Sequence, residues 1–499
     1  MEELICSASG IRGKVGKSLT FSKAYETTLY FYEEYLKGKT PSGEIRIILG
    51  KDDKKSGNVL VAGIKEAIED IIRRESVKIK LIFLGVTSTP MIEWAIKNYK
   101  AGGGINITAS HNPVEWNGIK LFGRDGILLG KNEMEKIKNK FLLPCRFRFP
   151  LIAEKSLCGL PRTDSVRQYN EYVTNKVKNV IDSVSGRKGK GKEIFDKIRK
   201  YNYRVVIDAC SGESAKIPRQ FLIYLGLKKK NIFITNSSSI ENSRRRLEPA
   251  PPYLGNLKRM IKKMKADAGF AFDPDQDRLV VMPLLSEEHT PLLCGRFLLE
   301  LQKKYNSRKY IKSMPVNLST SSAWEELGDD YGVRVIRTKI GEVNVVQAMQ
   351  ESKSLFGAEG NGGIILGDVT YGRNSTAGMA LILAYLSWRG KKIKELEQEL
   401  PEYVLIKSKL KVTPCKNQEK MTKRVISGIN KPVKSINKTD GCKIFFKDGS
   451  WVQIRPSNTE PIIRIFAEAR VNGSRKKTAE KVKNIIKTVS NILEGGENV

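Results

Sequence analysis

Ser110 stands at a corner of the chain whose residue types suit covalent catalysis. It belongs to the segment Thr108–Pro113, which follows a short apolar run, Gly103–Ile107. A serine between a predicted strand and a proline lies on stiff backbone that presents its hydroxyl outward. Such a hydroxyl can carry a phosphoryl group and so divide one transfer into two steps. The next residue is His111, one of two histidines in the chain; the alternative interpretation is an ordinary polar turn.

Three aspartates, Asp273, Asp275 and Asp277, alternate along the chain directly after the apolar run Ala268–Phe272. Like charges placed so close raise one another's pKa unless a cation joins them. Oxygen ligands of this kind suit a hard ion such as Mg²⁺. A calcium EF-hand loop is excluded, because Arg278 stands where that motif requires glycine. A solvated acidic turn remains the alternative.

A phosphorylated serine carries about −1.5 to −2 charges at neutral pH and therefore needs cations around it. Arg12 lies among small residues early in the chain, and Lys120 ends the turn Glu115–Lys120 after the serine loop. Further on, the loop Arg455–Pro461 combines an arginine, two hydroxyls and an amide, and Arg464 follows on the next predicted strand. A loop furnished in this way suits a phosphate dianion, although a generic turn has a similar composition.

A glycine-rich segment, Gly357–Gly363, carries Glu359 and Asn361. Glycine lets a ligand approach the backbone closely, and the carboxylate and amide could form hydrogen bonds with sugar hydroxyls. The alternative is a glycine-rich turn that binds nothing. A nucleotide-binding phosphate loop around Gly16–Ser18 is excluded, because Ile11 occupies the position of its first glycine.

The elements that must position these residues alternate between strands and helices. This alternation predicts β-α-β units and mainly parallel sheets, which bind ligands beyond the carboxyl ends of their strands. Residues about 144–200 are expected to be irregular and basic. The last hundred residues, with strands before a terminal helix, predict a small α+β domain. The predicted strands are Glu44–Leu49, Lys80–Leu84, Gly103–Ala109, Tyr203–Asp208, Asn231–Thr235, Ala268–Phe272, Leu279–Leu285, Tyr310–Asn317, Val333–Thr338, Tyr403–Val412, Cys442–Phe446, Trp451–Ile454 and Ile462–Ala467, and the predicted helices are Val59–Arg73, Met91–Tyr99, Lys216–Leu225, Leu257–Lys265, Cys294–Tyr305, Ala323–Leu327, Val343–Ser352, Met421–Ile429 and Lys476–Leu493.

The chain has 499 residues, 40% of them hydrophobic, and a formal net charge of +34. This length predicts several domains, and the composition excludes a disordered polymer. The charge would suit a protein that binds nucleic acid, but clustered rather than total charge marks such a surface. Because the lysines are spread over nearly every predicted helix, nucleic acid is not expected as a partner.

The cysteine pattern and the hydropathy of the sequence indicate the cellular environment of the protein. The seven cysteines are odd in number, scattered and without Cys-x-x-Cys spacing. This pattern predicts free thiols in a reducing, cytoplasmic environment and argues against a zinc site or a disulfide framework. No apolar run is long enough to span a membrane, and the first residues do not resemble a secretion signal.

Six motifs follow one another along nearly the whole chain, and together they resemble those of the α-D-phosphohexomutase superfamily. That superfamily includes phosphoglucomutase, phosphomannomutase and phosphoglucosamine mutase. The matching segments are Ser9–Gly13 (SGIRG), Thr108–Pro113 (TASHNP) with Trp116–Lys120 (WNGIK), Asp273–Arg278 (DPDQDR), Lys339–Gly341 (KIG), Glu359–Gly363 (EGNGG) and Arg455–Arg464 (RPSNTEPIIR).

The resemblance implies a Mg²⁺-dependent isomerase that interconverts hexose 1-phosphate and hexose 6-phosphate. Ser110 would be phosphorylated and would form a bisphosphorylated sugar as intermediate, with a hexose bisphosphate as activator. One Mg²⁺ per active site would be held by Asp273, Asp275, Asp277 and a phosphate oxygen on Ser110. The other implied site residues are Arg12, Arg278 and Lys120 at the transferring group, His111 or Lys120 as proton shuttle, Lys339, Glu359 and Asn361 at the sugar, and Arg455, Ser457, Asn458, Thr459 and Arg464 at the phosphate that does not react.

The implied architecture is three mixed α/β domains around a central cleft, plus a smaller C-terminal α+β domain. Their predicted boundaries are 1–150 with the serine loop, 151–285 with the metal loop, 286–397 with the sugar loop and 398–499 with the phosphate loop. The expected partner is a phosphorylated hexose, and a monomer or homodimer is expected.

The residues favour one hexose and leave a second open. Many relatives carry a histidine where Gly363 stands, so the sugar loop is of the glycine-ended type. This loop together with WNGIK favours phosphoglucosamine mutase, with a phosphoglucomutase/phosphomannomutase of dual specificity as the alternative. A nucleic-acid-binding protein on a degenerate mutase scaffold is the remote alternative, and three crowded aspartates argue against it.

Overall fold

The structure is a computed structural model, and it describes residues 4–7, 9–38, 43–141, 165–243, 245–307, 310–411, 418–456 and 462–495. Within these ranges the strands form four sheets that follow one another along the chain. Each sheet lies inside one of the four predicted segments, and mixed α/β layers are observed as predicted. The exact domain boundaries stay a prediction.

The first sheet carries the serine loop. Its strand order is β1-β2-β6-β5-β3-β4; β3 pairs parallel with β4 and β5, and the other pairs are antiparallel. Apolar residues run along β3 and are buried on both faces, as expected for a strand covered by helices on both sides. The elements are β1 Ile5–Ser7, β2 Gly10–Lys14, α1 Phe21–Phe31, β3 Glu44–Lys51, α2 Gly57–Glu75, β4 Lys78–Val86, α3 Thr89–Asn98, β5 Gly103–Ile107, β6 Trp116–Gly123 and α4 Lys131–Lys140.

The second sheet carries the aspartate loop. Its order is β10-β9-β7-β8, with β7 parallel to β8 and β9 and a final antiparallel pair. The elements are α5 Ser165–Ser185, α6 Lys190–Tyr201, β7 Val205–Asp208, α7 Lys216–Tyr224, β8 Ile232–Ile234, α8 Gly255–Met264, β9 Ala268–Phe272 and β10 Leu279–Met282.

The expectation of irregular structure over residues about 144–200 is wrong for most of the described part. Residues 165–185 and 190–201 form α5 and α6. Val173, Val177, Val180 and Val184 of α5 are fully buried, because they recur at helical spacing on one face. Polar and charged residues lie between these valines in the sequence, so the apolar face is evident only once the helix is formed.

The third sheet carries the predicted sugar loop and has the order β12-β11-β13-β14-β15. Strand β11 is parallel to β12 and β13, and the remaining pairs are antiparallel. The elements are α9 His289–Lys304, β11 Ser313–Asn317, α10 Ala323–Tyr331, β12 Arg334–Thr338, α11 Glu342–Ser352, β13 Phe356–Glu359, β14 Gly363–Leu366, β15 Thr370–Arg373, α12 Ser375–Arg389 and α13 Ile393–Glu397.

The fourth sheet is entirely antiparallel in its described pairs, with the order β16-β20-β19-β18-β17. The terminal helix α15 buries an apolar stripe that includes Val482, Ile485 and Val489 against this sheet. The predicted α+β domain is therefore observed. The elements are β16 Tyr403–Leu410, α14 Gln418–Gly428, β17 Val433–Asn437, β18 Cys442–Phe446, β19 Trp451–Pro456, β20 Ile463–Arg470 and α15 Arg475–Glu494.

Two further expectations concern membranes and thiols. None of the helices that the structure describes is long and apolar enough to cross a membrane. Cys6, Cys210, Cys294 and Cys442 are free, and the other cysteines lie outside the described ranges. The predicted cytoplasmic location and the oligomeric state stay predictions.

Candidate active site

Predicted site residues from three of the sheets lie at the carboxyl ends of strands. Ser110 follows β5, Asp273 follows β9, Lys339 follows β12 and Glu359 ends β13. This is the edge at which parallel α/β sheets bind ligands.

Ser110 has a left-handed backbone conformation in the loop between β5 and β6. Its φ is +51°, a region that costs a residue other than glycine about 1–2 kcal/mol. The Ser110 amide donates to Thr108 Oγ1 at 2.9 Å, and this bond stabilises the corner. Ser110 is buried, and its hydroxyl donates to Asp273 Oδ2 at 2.7 Å. The structure therefore brings the predicted carrier oxygen into direct contact with the aspartate loop.

Lys54 fixes the second half of the serine loop. Its ammonium donates to the carbonyl oxygens of Asn112 at 3.2 Å and Trp116 at 3.0 Å. Burial lowers the pKa of Lys54, and the charge of Asp52 opposes that effect. Sequence reasoning did not predict these contacts of Lys54, because the carbonyls that it holds lie about 60 residues away.

Asp273, Asp275 and Asp277 are fully buried between β9 and β10. One oxygen from each carboxylate lies within 4.8 Å of the others. Arg278 closes the loop, because its backbone amide donates to Asp273 Oδ1 at 3.1 Å. Burial and the charges of Asp277 and Asp275 raise the pKa of Asp273 well above its ordinary value, which is the cost of crowding like charges.

This group fits a hard divalent cation. Asp275 Oδ1 and Asp277 Oδ1 are buried and accept no hydrogen bond from the described residues. Buried carboxylate oxygens without donors are costly unless a cation coordinates them. Carboxylate oxygens are hard ligands of the kind that Mg²⁺ takes, and a bound cation would favour the ionised form of Asp273.

Two buried cationic side chains form ion pairs with the aspartates. Lys120 Nζ lies 2.6 Å from Asp275 Oδ2 and 3.1 Å from Asp277 Oδ2. Burial alone would lower the pKa of Lys120, but the two carboxylates outweigh it and raise that pKa. Arg373 Nη2 donates to Asp277 Oδ2 at 2.5 Å, and both ammonium and guanidinium therefore stay charged at neutral pH.

Arg373 is a site residue that sequence reasoning missed. Besides Asp277, its guanidinium donates to Glu359 Oε2 at 2.9 Å and lies 3.3 Å from Glu342 Oε2. It thus joins the predicted metal group to the predicted sugar loop. The sequence does show an arginine beside Gly372, at the end of the short strand β15. This position does not indicate which carboxylates the arginine contacts.

Arg12, Arg278 and His111 border the serine and aspartate loops. Arg12 Nη1 donates to Asn112 Oδ1 at 3.3 Å, and Arg278 Nε lies 3.8 Å from Asp273 Oδ2. His111 Nδ1 lies 3.4 Å from the hydroxyl oxygen of Ser110. Burial and the charges of Arg278 and Arg12 lower the pKa of His111 well below its ordinary value. A neutral imidazole therefore lies beside the predicted carrier.

The predicted sugar residues differ in how firmly they are held. Glu359 is buried, and its Oε1 accepts from Asn317 Nδ2 at 3.0 Å and from the Gly341 amide at 3.2 Å. Asn361 Oδ1 accepts from the Gly363 amide at 3.1 Å, while the side chain of Lys339 is exposed. Glu359 and the loop of Lys339 are therefore in contact, whereas the bond of Asn361 lies within its own turn.

The predicted phosphate clamp lies on β19 and β20. Arg455 and Arg464 are directly paired residues of these antiparallel strands, and Arg455 Nε donates to Asp440 Oδ1 at 2.8 Å. Two guanidinium groups on paired residues repel each other unless an anion lies between them. Ser457, Asn458 and Thr459 lie outside the described residues. The roles assigned to all these site residues stay predictions.

Known proteins match this chain throughout its length. Four models described as phosphoglucomutase/phosphomannomutase match it: alpha/beta/alpha domain I over residues 4–142, domain II over 184–283, domain III over 287–403 and the C-terminal domain over 410–485. A phosphoglucosamine/phosphogalactosamine mutase of Sulfurisphaera tokodaii is 30% identical over 485 residues, which cover 96% of this chain and 98% of that one. A phosphoglucomutase/phosphomannomutase of Thermococcus kodakarensis is 31% identical over 450 residues, covering 90% and 91% of the two chains.

A solved structure shows the same fold. The phosphoglucomutase/phosphomannomutase family protein of Burkholderia thailandensis superposes with a TM-score of 0.72 and 19% identity, covering 99% of this chain and 98% of that one. The predictions of the superfamily, the fold class and an isomerase are confirmed by these matches. The chain belongs to the phosphoglucomutase/phosphomannomutase family, within the α-D-phosphohexomutase superfamily.

Proposed function

We propose that this chain is a Mg²⁺-dependent phosphoglucosamine mutase that works through a phosphoserine at Ser110. The observation that carries the proposal is the 2.7 Å contact between Ser110 Oγ and Asp273 in the aspartate group. A phosphoryl group on this oxygen would lie beside three carboxylates that need a cation and beside the cations Lys120 and Arg278.

Asp273, Asp275 and Asp277 would hold the Mg²⁺ together with a phosphate oxygen on Ser110. When bound, the ion would neutralise charge on the phosphoryl oxygens during transfer. The site residues supply the rest of the electrostatic environment. Lys120 and Arg373 hold the aspartates in place, so that little reorganisation is required when the reaction begins.

In the first transfer, a sugar hydroxyl oxygen attacks phosphorus, the bond from Ser110 Oγ to phosphorus breaks, and a bisphosphorylated sugar forms. The sugar hydroxyl loses a proton, and His111 would accept it, because its Nδ1 lies 3.4 Å from Ser110 Oγ and the imidazole is neutral. Lys120 is less suited to accept this proton, because Asp275 and Asp277 keep its ammonium charged.

In the second transfer, the sugar has turned over and its other phosphate lies at Ser110. The serine hydroxyl oxygen attacks that phosphorus and loses its proton, and the departing sugar oxygen gains one. Arg455 and Arg464 would hold the phosphate that does not react in each step, since guanidinium groups bind phosphate through paired hydrogen bonds. Glu359 would accept hydrogen bonds from sugar hydroxyls.

The preference for glucosamine is supported by the glycine-ended sugar loop and by the relative from Sulfurisphaera tokodaii, which is a phosphoglucosamine/phosphogalactosamine mutase. The relative from Thermococcus kodakarensis is a phosphoglucomutase/phosphomannomutase and favours the alternative of glucose and mannose phosphates.

The test compares the 1-phosphates of glucosamine, glucose and mannose under one set of conditions, with Mg²⁺ and a catalytic amount of hexose 1,6-bisphosphate. We expect 6-phosphate products, with the highest kcat/KM for the glucosamine compound. A higher value for glucose or mannose would establish the alternative sugar, and no turnover of any of the three would refute the mutase. Chelation of the divalent ion should abolish turnover, and added Mg²⁺ should restore it.

A further inference from the structure

We propose that Asp440 is a positioning residue that couples the phosphate clamp to the sugar-binding loops. This inference rests on the proposed function, because it takes the clamp and the sugar loops as parts of one substrate site. Asp440 belongs to none of the predicted motifs; it lies in the turn between β17 and β18.

The Asp440 carboxylate bridges two sheets with its two oxygens. Oδ1 accepts from Arg455 Nε of the fourth sheet at 2.8 Å. Oδ2 accepts from the backbone amide of Ile340 at 2.8 Å, and Ile340 is the middle residue of the Lys339–Gly341 loop of the third sheet. One carboxylate therefore joins a predicted phosphate ligand directly to a predicted sugar loop.

The backbone around Asp440 fixes the position of this carboxylate. Gly441 has a φ of +69°, and a Cβ there would lie 2.4 Å from the carbonyl oxygen of Ile454. The Asp440 carbonyl accepts from Gln453 Nε2 at 3.1 Å. The turn is thus packed against β19, and only glycine permits that approach at residue 441.

The contact orients Arg455 without using the nitrogens that are best placed for phosphate. A guanidinium has five N–H donors in a fixed plane, and its terminal nitrogens form the fork that binds oxyanions. Asp440 accepts from Nε, so the bond fixes the plane of the guanidinium and leaves the geometry of the fork intact.

Hydrogen bonds continue from this loop towards the aspartate group. The Gly341 amide donates to Glu359 Oε1 at 3.2 Å, and Arg373 Nη1 donates to Glu359 Oε2 at 2.9 Å. Arg373 in turn contacts Asp277. A phosphate bound at Arg455 would therefore stabilise the conformation of the Lys339–Gly341 loop. Asp440 links the two sheets in this continuous set of polar contacts.

The kinetic test uses Asp440→Ala and Asp440→Asn, with Asp448→Asn as a matched control. Asp448 lies in the next turn of the same sheet and pairs with Lys431 at 2.6 Å, away from the predicted ligand residues. We expect Asp440→Ala to raise the KM for hexose phosphate about tenfold with kcat within about threefold, and Asp440→Asn to give an intermediate KM. A KM for Asp440→Ala equal to that of the control would overturn the proposal.

A second readout does not depend on turnover. Hydrogen–deuterium exchange of the peptide that contains Lys339–Gly341 is measured with and without inorganic phosphate. We expect phosphate to slow exchange there in the unmodified protein and in Asp448→Asn, but not in Asp440→Ala. Equal slowing in Asp440→Ala, or none in the unmodified protein, would contradict the coupling. Absence of mutase activity in the unmodified protein would instead refute the proposed function. A failure of the coupling and a failure of the proposed function are therefore distinguishable.

Discussion

The transfer end and the clamp end of the candidate site are built differently. At the transfer end, Ser110 and the three aspartates are buried, and Lys120 is 2% exposed. At the clamp end, the Arg455 side chain is 16% exposed, and Arg464 is its direct neighbour across the strands. At the transfer end, buried charges of both signs are in contact, whereas at the clamp end two arginines are paired across the strands and Asp440 contacts one of them from a neighbouring turn.

This difference indicates two kinds of preparation for a substrate. The transfer end is organised before substrate arrives, because Lys120 and Arg373 already hold Asp275 and Asp277. Such fixed charges stabilise a transition state without reorganisation. The paired arginines of the clamp end would be stabilised by the phosphate that they are proposed to bind. Substitutions at the transfer end should therefore lower kcat, and substitutions at the clamp end should mainly raise KM.

The largest effect is expected for Ser110→Ala, which removes the oxygen that is proposed to carry the phosphoryl group. We expect kcat to fall at least about 10³-fold, measured as conversion of hexose 1-phosphate to 6-phosphate. The exposed residue Ser427 supplies the control, and Ser427→Ala should keep full activity. Turnover by Ser110→Ala at the unmodified rate would rule out the carrier role.

Arg373→Lys is expected to lower kcat about 10²-fold, because an ammonium cannot contact Asp277 and Glu359 in the fork geometry of a guanidinium. Arg334→Lys, at an exposed position of β12, should change kcat little. Equal kcat values for the two variants would show that the transfer end does not depend on this contact.

Lys54→Met is expected to lower kcat about tenfold and the free energy of unfolding by about 2 kcal/mol, since charge-assisted bonds to carbonyls of the serine loop are lost. The neighbouring Lys55 is exposed and provides Lys55→Met as control. Thermal unfolding and steady-state rates measure both quantities. Unchanged stability and kcat in Lys54→Met would show that the loop holds its conformation without the lysine.

The smallest effect on kcat is expected for Arg455→Gln at the clamp end. Its KM for hexose phosphate should rise about tenfold with kcat within about threefold, because the contact that is lost would act on a phosphate that does not react. Arg470→Gln, an exposed substitution on the same sheet, should leave KM unchanged. A fall in kcat as large as that of Arg373→Lys would remove the distinction between the two ends.

The chemistry of a segment could be predicted from the sequence where the reactive residues and the strand that positions them lie close together in the chain. Asp273, Asp275 and Asp277 follow a short apolar strand, and their spacing predicts a shared cation because crowded like charges raise one another's pKa. Most predicted strands and helices are observed for the same reason, since their periodicity lies within a dozen residues. The structure then places Ser110 against Asp273, 163 residues away.

The pairings between distant segments were decided by the tertiary structure. Arg373 meets Asp277 across 96 residues, and Asp440 meets Ile340 across 100. Nothing in the periodicity around an arginine or an Asp-Gly turn specifies such a partner. The sequence by itself determined the residue types available for chemistry and the strands that the serine, aspartate and sugar loops follow. Only the packing of the sheets decided which charges neutralise one another, because burial makes an unpaired charge too costly to keep.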